Sequence, residues 1–121
     1  MPGREDKKYF KFWFPVIAYS GIIFYVSSLS NLPSQPGIVF LDKICHIIEY
    51  AGWGFLLARA LKHTMVGVRR ADILLAVSFF ALLYGASDEF HQFFVPGREV
   101  SLGDLLADGL GGTLGGLLYR R

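Results

Sequence analysis

Two short spacings put a carboxylate and an imidazole on one helical face: His46-x-x-Glu49 and Asp88-x-x-His91. A carboxylate that orients an imidazole supports general acid–base chemistry. Two such pairs on facing helices can instead hold a divalent metal. The second pair lies in the stretch SDEFHQFFVPGRE, residues 87–99, which follows fifteen uncharged residues from Ile73 to Ser87. Two further carboxylates, Asp104 and Asp108, recur four residues apart just beyond it. The candidate ligand-binding set is Asp42, Lys43, His46, Glu49, Asp88, His91, Gln92, Arg98, Asp104 and Asp108. Within it the catalytic candidates are Asp88, His91 and Glu49, and the metal candidates are His46, Glu49, Asp88 and His91. Spacing alone names no cofactor, and a divalent metal is the one that these donors admit.

The elements that must position these groups are apolar helices. The chain has 121 residues, enough for one domain over 1–121, and is 53% hydrophobic. Residues Phe12 to Leu41 are thirty in a row without Asp, Glu, Lys or Arg. A membrane helix needs roughly 20 apolar residues, so this run reads as a retained signal anchor rather than a cleaved leader. Three later runs are shorter: Tyr50 to Ala58, Ile73 to Ser87 and Gly109 to Tyr119. Each reaches about 20 residues once adjacent polar groups are admitted. The expected fold is therefore all-α, an integral membrane protein with four spans near 12–32, 42–61, 71–95 and 101–119. Soluble helices would carry charge along an outer face, and these do not.

Ten of the twelve Lys and Arg residues fall on one side of that arrangement; only Lys43 and Arg98 fall on the other. The basic side faces the cytoplasm, so both termini are expected there, in a multi-pass protein of the cytoplasmic membrane. Turn residues 31–37 and the Pro96-Gly97 pair make the outer connections, Ser101 caps the fourth span, and Pro15 sits near the start of the first.

Counting from the outer helix ends puts Glu49, Asp88 and Asp108 at one depth, roughly 10 Å inside. Asp42, His46, Glu49 and Trp53 share a face, as do Tyr84, Asp88, His91 and Gln92, whereas Glu89 is expected to point away toward the interface. Charges at such depth are costly unless they face one another or water. The bland alternative is an interhelical hydrogen-bond network that fixes packing. Seven acids on the outer side (Asp42, Glu49, Asp88, Glu89, Glu99, Asp104 and Asp108) outnumber Lys43, Arg98, His46 and His91, so shared protons, a cation or a cationic ligand group must balance them. Arg98 reads as a headgroup-level loop cation or a clamp on an anionic group. Lys43 reads as a snorkelling lysine or an ion-pair partner. The small residues Ala107, Gly111 and Gly115 allow close helix approach, and Gly111 and Gly115 equally offer a homodimer face. Tyr50, Trp53 and Tyr84 are expected to be lipid-facing or interfacial. The single cysteine, Cys45, excludes an internal disulfide and reads as an inert packing residue.

These motifs resemble the VanZ family: Asp42-Lys43-x-x-His46-x-x-x-Tyr50, Asp88-Glu89-x-His91-Gln92 with Pro96-Gly97-Arg98, and Ser101-x-x-Asp104-x-x-x-Asp108-x-x-Gly111. The resemblance covers about residues 20–118. It implies a small polytopic membrane protein of the cell envelope, and a link to resistance against teicoplanin, a lipid-tailed glycopeptide. Asp108 and Glu49 are more acidic than the family pattern at those positions. The implied function is an outward polar pocket that engages a lipid-linked or lipid-tailed ligand, with the lipid bilayer as the other partner and no nucleic acid. Two alternatives stand beside it: a membrane-embedded, metal-dependent hydrolase or transferase acting on a lipid headgroup, and proton or cation conduction.

Overall fold

The computed structural model describes residues 3–28, 36–96 and 101–120, with side chains in the second helix from residue 40 onward. Arg98, Glu99, Gly97 and residues 29–35 lie outside the described residues, so the expected outer clamp and most of the outer turns do too. Among the described residues the fold has four helices: α1 (Arg4–Ser27), α2 (Pro36–Thr64), α3 (Arg70–Gln92) and α4 (Leu102–Leu118). No strand occurs among the described residues.

Side-chain pairings fix the directions. On α2 and α4, Lys43 meets Asp104 and His46 meets Asp108, so the two helices run parallel. On α3, Ser78 meets Thr113 while Arg70 reaches Leu117 and Tyr119, so α3 is antiparallel to α4. Trp13 meets Thr64 and Ser20 meets Trp53, which sets α1 antiparallel to α2. The result is an up-down-up-down bundle with α2 at its centre.

Glycine sets the tightest contact. A Cβ at Gly111 would strike the Ile47 carbonyl, and one at Gly115 the Ala51 carbonyl, so α4 lies backbone to backbone on α2. Both glycines are thereby taken up by α2 of the same chain. Gly67, at φ 75°, turns the chain between α2 and α3 in the left-handed region that a Cβ disfavours.

The helix ends differ from those of the apolar runs. α1 starts at Arg4 and carries its charged residues as extra turns, so Pro15 lies well inside the helix rather than near its start. Ser101 does cap α4, its hydroxyl accepting from the Asp104 N–H at 3.3 Å. At the opposite end, Arg70 donates to the Tyr119 carbonyl at 2.6 Å and the Leu117 carbonyl at 2.9 Å. A cation at a helix C-terminus satisfies its last carbonyls and complements its dipole.

The bundle carries large apolar side chains on its outside, and beside its apolar core it buries polar groups toward one end. Leu102, Leu106, Leu110 and Leu114, four residues apart, are all exposed along α4, as are Phe10, Ile17, Leu75 and Phe79 elsewhere. Asp108 is 0% and Gln92 2% exposed. Soluble domains place such residues the other way round. Among the described residues two helices, α1 and α3, are long and apolar enough to cross a membrane.

Candidate functional site

Three helices bring the predicted carboxylates together around one imidazole. His46 on α2 faces Asp108 on α4, Nδ1 to Oδ1 at 2.7 Å. Its other ring nitrogen, Nε2, lies 3.7 Å from Asp42 Oδ2, one turn earlier on α2. Asp88 of α3 closes the group: single donor atoms of His46, Asp88 and Asp108 all lie within 4.8 Å of one another, and so do those of Asp42, His46 and Asp104. Local sequence explains why Asp108 can sit so deep. Gly85 on α3 stands opposite it, and a Cβ there would lie 2.9 Å from both Asp108 Cβ and Oδ2. The missing side chain is the recess that the carboxylate occupies.

The remaining candidates divide around this core. Lys43 pairs with Asp104 at 3.4 Å, with Lys43 partly exposed and Asp104 buried. Glu89 corrects the expectation that it points away. It is 6% exposed, and its Oε2 accepts from the Ser101 backbone N–H at 2.9 Å. The cause is the return of the chain into α4, which sets an amide at the helix's positive end against the last turn of α3. Gln92, three residues further along α3, is buried as well. Glu49 is half-buried and lies outside both donor groups. His91 also lies outside them; it turns toward α1, where Nε2 meets Ser28 Oγ at 2.9 Å and the ring stacks on Phe24 with centroids 4.2 Å apart.

Beneath the polar groups lies an aromatic layer of residues expected to be lipid-facing or interfacial. Tyr50 is 0% and Trp53 5% exposed, and Tyr84 is half-buried. Trp53 and Tyr84 stack with centroids 5.6 Å apart. Ser20 of α1 anchors both: its hydroxyl accepts from Trp53 Nε1 at 2.8 Å, and its carbonyl accepts from the Tyr84 hydroxyl at 2.5 Å. The polar tips of Trp53 and Tyr84 explain why these two turn inward, because each finds its partner on α1. Cys45, expected to pack, is exposed. It follows directly from the register of α2, which turns His46 inward and its neighbour outward.

Between α1, α2 and α3 runs an apolar groove of about 350 Å³, lined by Trp13, Val16, Trp53, Leu57, Tyr84 and Ser87 among others. Its α3 wall follows a helical stripe, Phe80, Tyr84 and Ser87, and His91 continues that stripe one turn further. The groove therefore leads from the basic end of the bundle toward His91 and Ser28. Sequence reasoning missed Trp13, Ser20, Ser28 and Gly85 as parts of the site. The three- and four-residue spacing from Phe80 to His91 marks only the α3 wall of the groove.

Comparison with curated proteins gives no match, and comparison with solved structures gives none. The family model described as VanZ/LLP1 matches residues 4–121, from the first residue of α1 to the end of the sequence. On that match the chain belongs to the VanZ/LLP1 family.

Proposed function

We propose that this protein spans the cytoplasmic membrane four times, with both termini inside, and binds a lipid-linked or lipid-tailed molecule on its outer side. Family membership, and two helices long and apolar enough to cross a membrane, support a cell-envelope membrane protein. Four crossings and inner termini are supported by the up-down-up-down directions and by the gathering of Arg4, Lys7, Lys8, Lys11, Arg59, Lys62, Arg69 and Arg70 at the α1 N-terminal end.

One observation carries the ligand reading. The apolar groove of about 350 Å³ and the buried polar core share the face of α3 that includes Tyr84, Ser87, Asp88 and His91. That volume lies within the range of small-molecule pockets, roughly 300–1,000 Å³. An acyl chain fits the groove's lining, and the polar head it carries meets His91, Ser28 and the neighbouring carboxylates. A chain already dissolved in lipid gains little hydrophobic energy on moving into the groove, because lipid is as apolar as leucine. Affinity then rests on the head, and a tail arriving from water contributes more, about 0.8 kcal/mol per buried methylene. That favours a lipid-tailed molecule that reaches the outer surface from the aqueous side, as the family's association with teicoplanin suggests.

The test is susceptibility of a host expressing the wild type, Asp88→Asn, Leu83→Trp or an empty vector. Leu83 lines the groove. The wild type should raise tolerance to a lipid-tailed glycopeptide and leave tolerance to a tail-less one unchanged. Both variants should lose the effect. Equal susceptibility of all four strains removes the resistance reading.

A further inference from the structure

Asp42, Asp88, Glu89, Asp104 and Asp108 lie at the outer end of the bundle, where Lys43 pairs with Asp104 at 3.4 Å. An acidic cluster alone names no ligand, but three features of the core do.

The first is the donor set. His46, Asp88 and Asp108 are each 5% exposed or less, and one donor atom from each falls within 4.8 Å of the others. A tetrahedral ion with ligand bonds of about 2.0–2.2 Å needs donors roughly 3.4 Å apart, so the His46–Asp108 pair, 2.7 Å apart, opens by about 0.7 Å to admit it. The second is a pair of polar atoms left over. Asp108 Oδ2 and the Tyr50 hydroxyl are buried with no hydrogen-bond partner among the described residues, and both residues are 0% exposed. Tyr50 is four residues after His46, on the same face of α2 one turn deeper. Buried polar atoms of this kind are rare, and each calls for an ion, a water or a ligand beside it. The third is the carboxylate behind the imidazole. With His46 Nδ1 directed at Asp108, Nε2 faces Asp42 at 3.7 Å. A carboxylate behind the far nitrogen is how metal-bound histidines are commonly oriented.

We propose that His46 Nδ1, Asp88 and Asp108 form a binding site for a divalent transition-metal cation, Zn²⁺ or Mn²⁺, with Asp42 orienting the imidazole. One nitrogen and two carboxylate donors suit these ions, whereas Mg²⁺ and Ca²⁺ favour all-oxygen sites. The proton between His46 and Asp108 leaves when the ion binds. Asp42, whose side chain is 25% exposed, marks the access route from the outer end of α2. This inference is independent of the lipid-tail reading, since occupancy by metal does not depend on any ligand in the groove.

The experiment uses full-length protein in detergent, stripped with chelator, then given ZnCl₂, MnCl₂ or MgCl₂ and desalted. Metal content and thermal unfolding are measured on the same samples. The expected result is about one Zn²⁺ or Mn²⁺ per chain, a raised unfolding temperature with that ion, and neither effect with Mg²⁺. Asp88→Asn and His46→Gln should each weaken binding about tenfold or more, and the remote exposed variant Glu5→Gln should match the wild type. Wild-type protein that retains no stoichiometric metal and shows no shift overturns the site, and this outcome stands even where a variant fails to fold. Undiminished binding in both Asp88→Asn and His46→Gln overturns it too. Stability that rises on acidification and ignores metal assigns the cluster to protons and likewise overturns the site.

Discussion

At the scale of single residues, the core is defined by what is absent as much as by what is charged. Gly85 leaves room for the Asp108 carboxylate, with any Cβ only 2.9 Å from Oδ2. Gly85→Ala should therefore displace Asp108 from His46 and lower stability by about 1–3 kcal/mol, read by denaturation in detergent. At the other end, His63 stacks on Phe12 with centroids 4.3 Å apart and meets the Tyr119 hydroxyl at 2.7 Å. It lies beyond the expected span at 42–61. Desolvation, then Arg59, Lys8, Lys11 and Lys62, hold its pKa below the ordinary histidine value. A lowered histidine pKa contributes stability that is present above the unfolded value of about 6.5 and is lost as pH falls through the folded value. NMR titration should find His63 protonating below that ordinary value, and Arg59→Gln should raise it. The chemistry-bearing residue types were legible in the sequence because buried acids and histidines are conspicuous in apolar runs. Their pairing was not. Depth counting set Glu49 level with Asp108, yet the pair formed is His46–Asp108, three residues and about one helical turn away.

At the scale of the elements, that shift has a physical origin. Apolar runs locate helices but say nothing of their axial slide. The slide of α4 along α2 is fixed where Gly111 and Gly115 rest on the Ile47 and Ala51 carbonyls, a backbone match that hydropathy cannot see. Gly115→Ala should force these helices apart and lower stability by about 1–3 kcal/mol or more. Gly21 gives the contrast: nothing lies within 4 Å of a Cβ there. Gly21→Ala should be neutral or stabilising by up to about 1 kcal/mol, since alanine is the better helix former. Parallel unfolding curves of the two variants check both signs. The same limit explains the aromatic layer. Tyr50, Trp53 and Tyr84 look like lipid-facing residues by type, and only the position of Ser20 on α1 reveals why Trp53 and Tyr84 turn inward.

For the molecule as a whole, the four-helix fold was legible because charge is banished to the helix ends and small residues mark the closest contact. The groove was not, because it arises from three helices whose apolar residues are indistinguishable in sequence from those on the outer surface. It is also where the central claim is most directly exposed to test. The chain has two tryptophans, Trp13 and Trp53, and both line the groove. Intrinsic fluorescence therefore reports on the groove with no added label. Purified protein should be titrated with a lipid-tailed glycopeptide carrying a brominated acyl chain, and separately with the same glycopeptide without its tail. Saturable quenching by the tailed form alone, abolished in Leu83→Trp once the added tryptophan's own signal is subtracted, is the predicted result. Quenching that rises linearly without saturation, or equally for both forms, contradicts a groove that holds the tail of a lipid-tailed ligand.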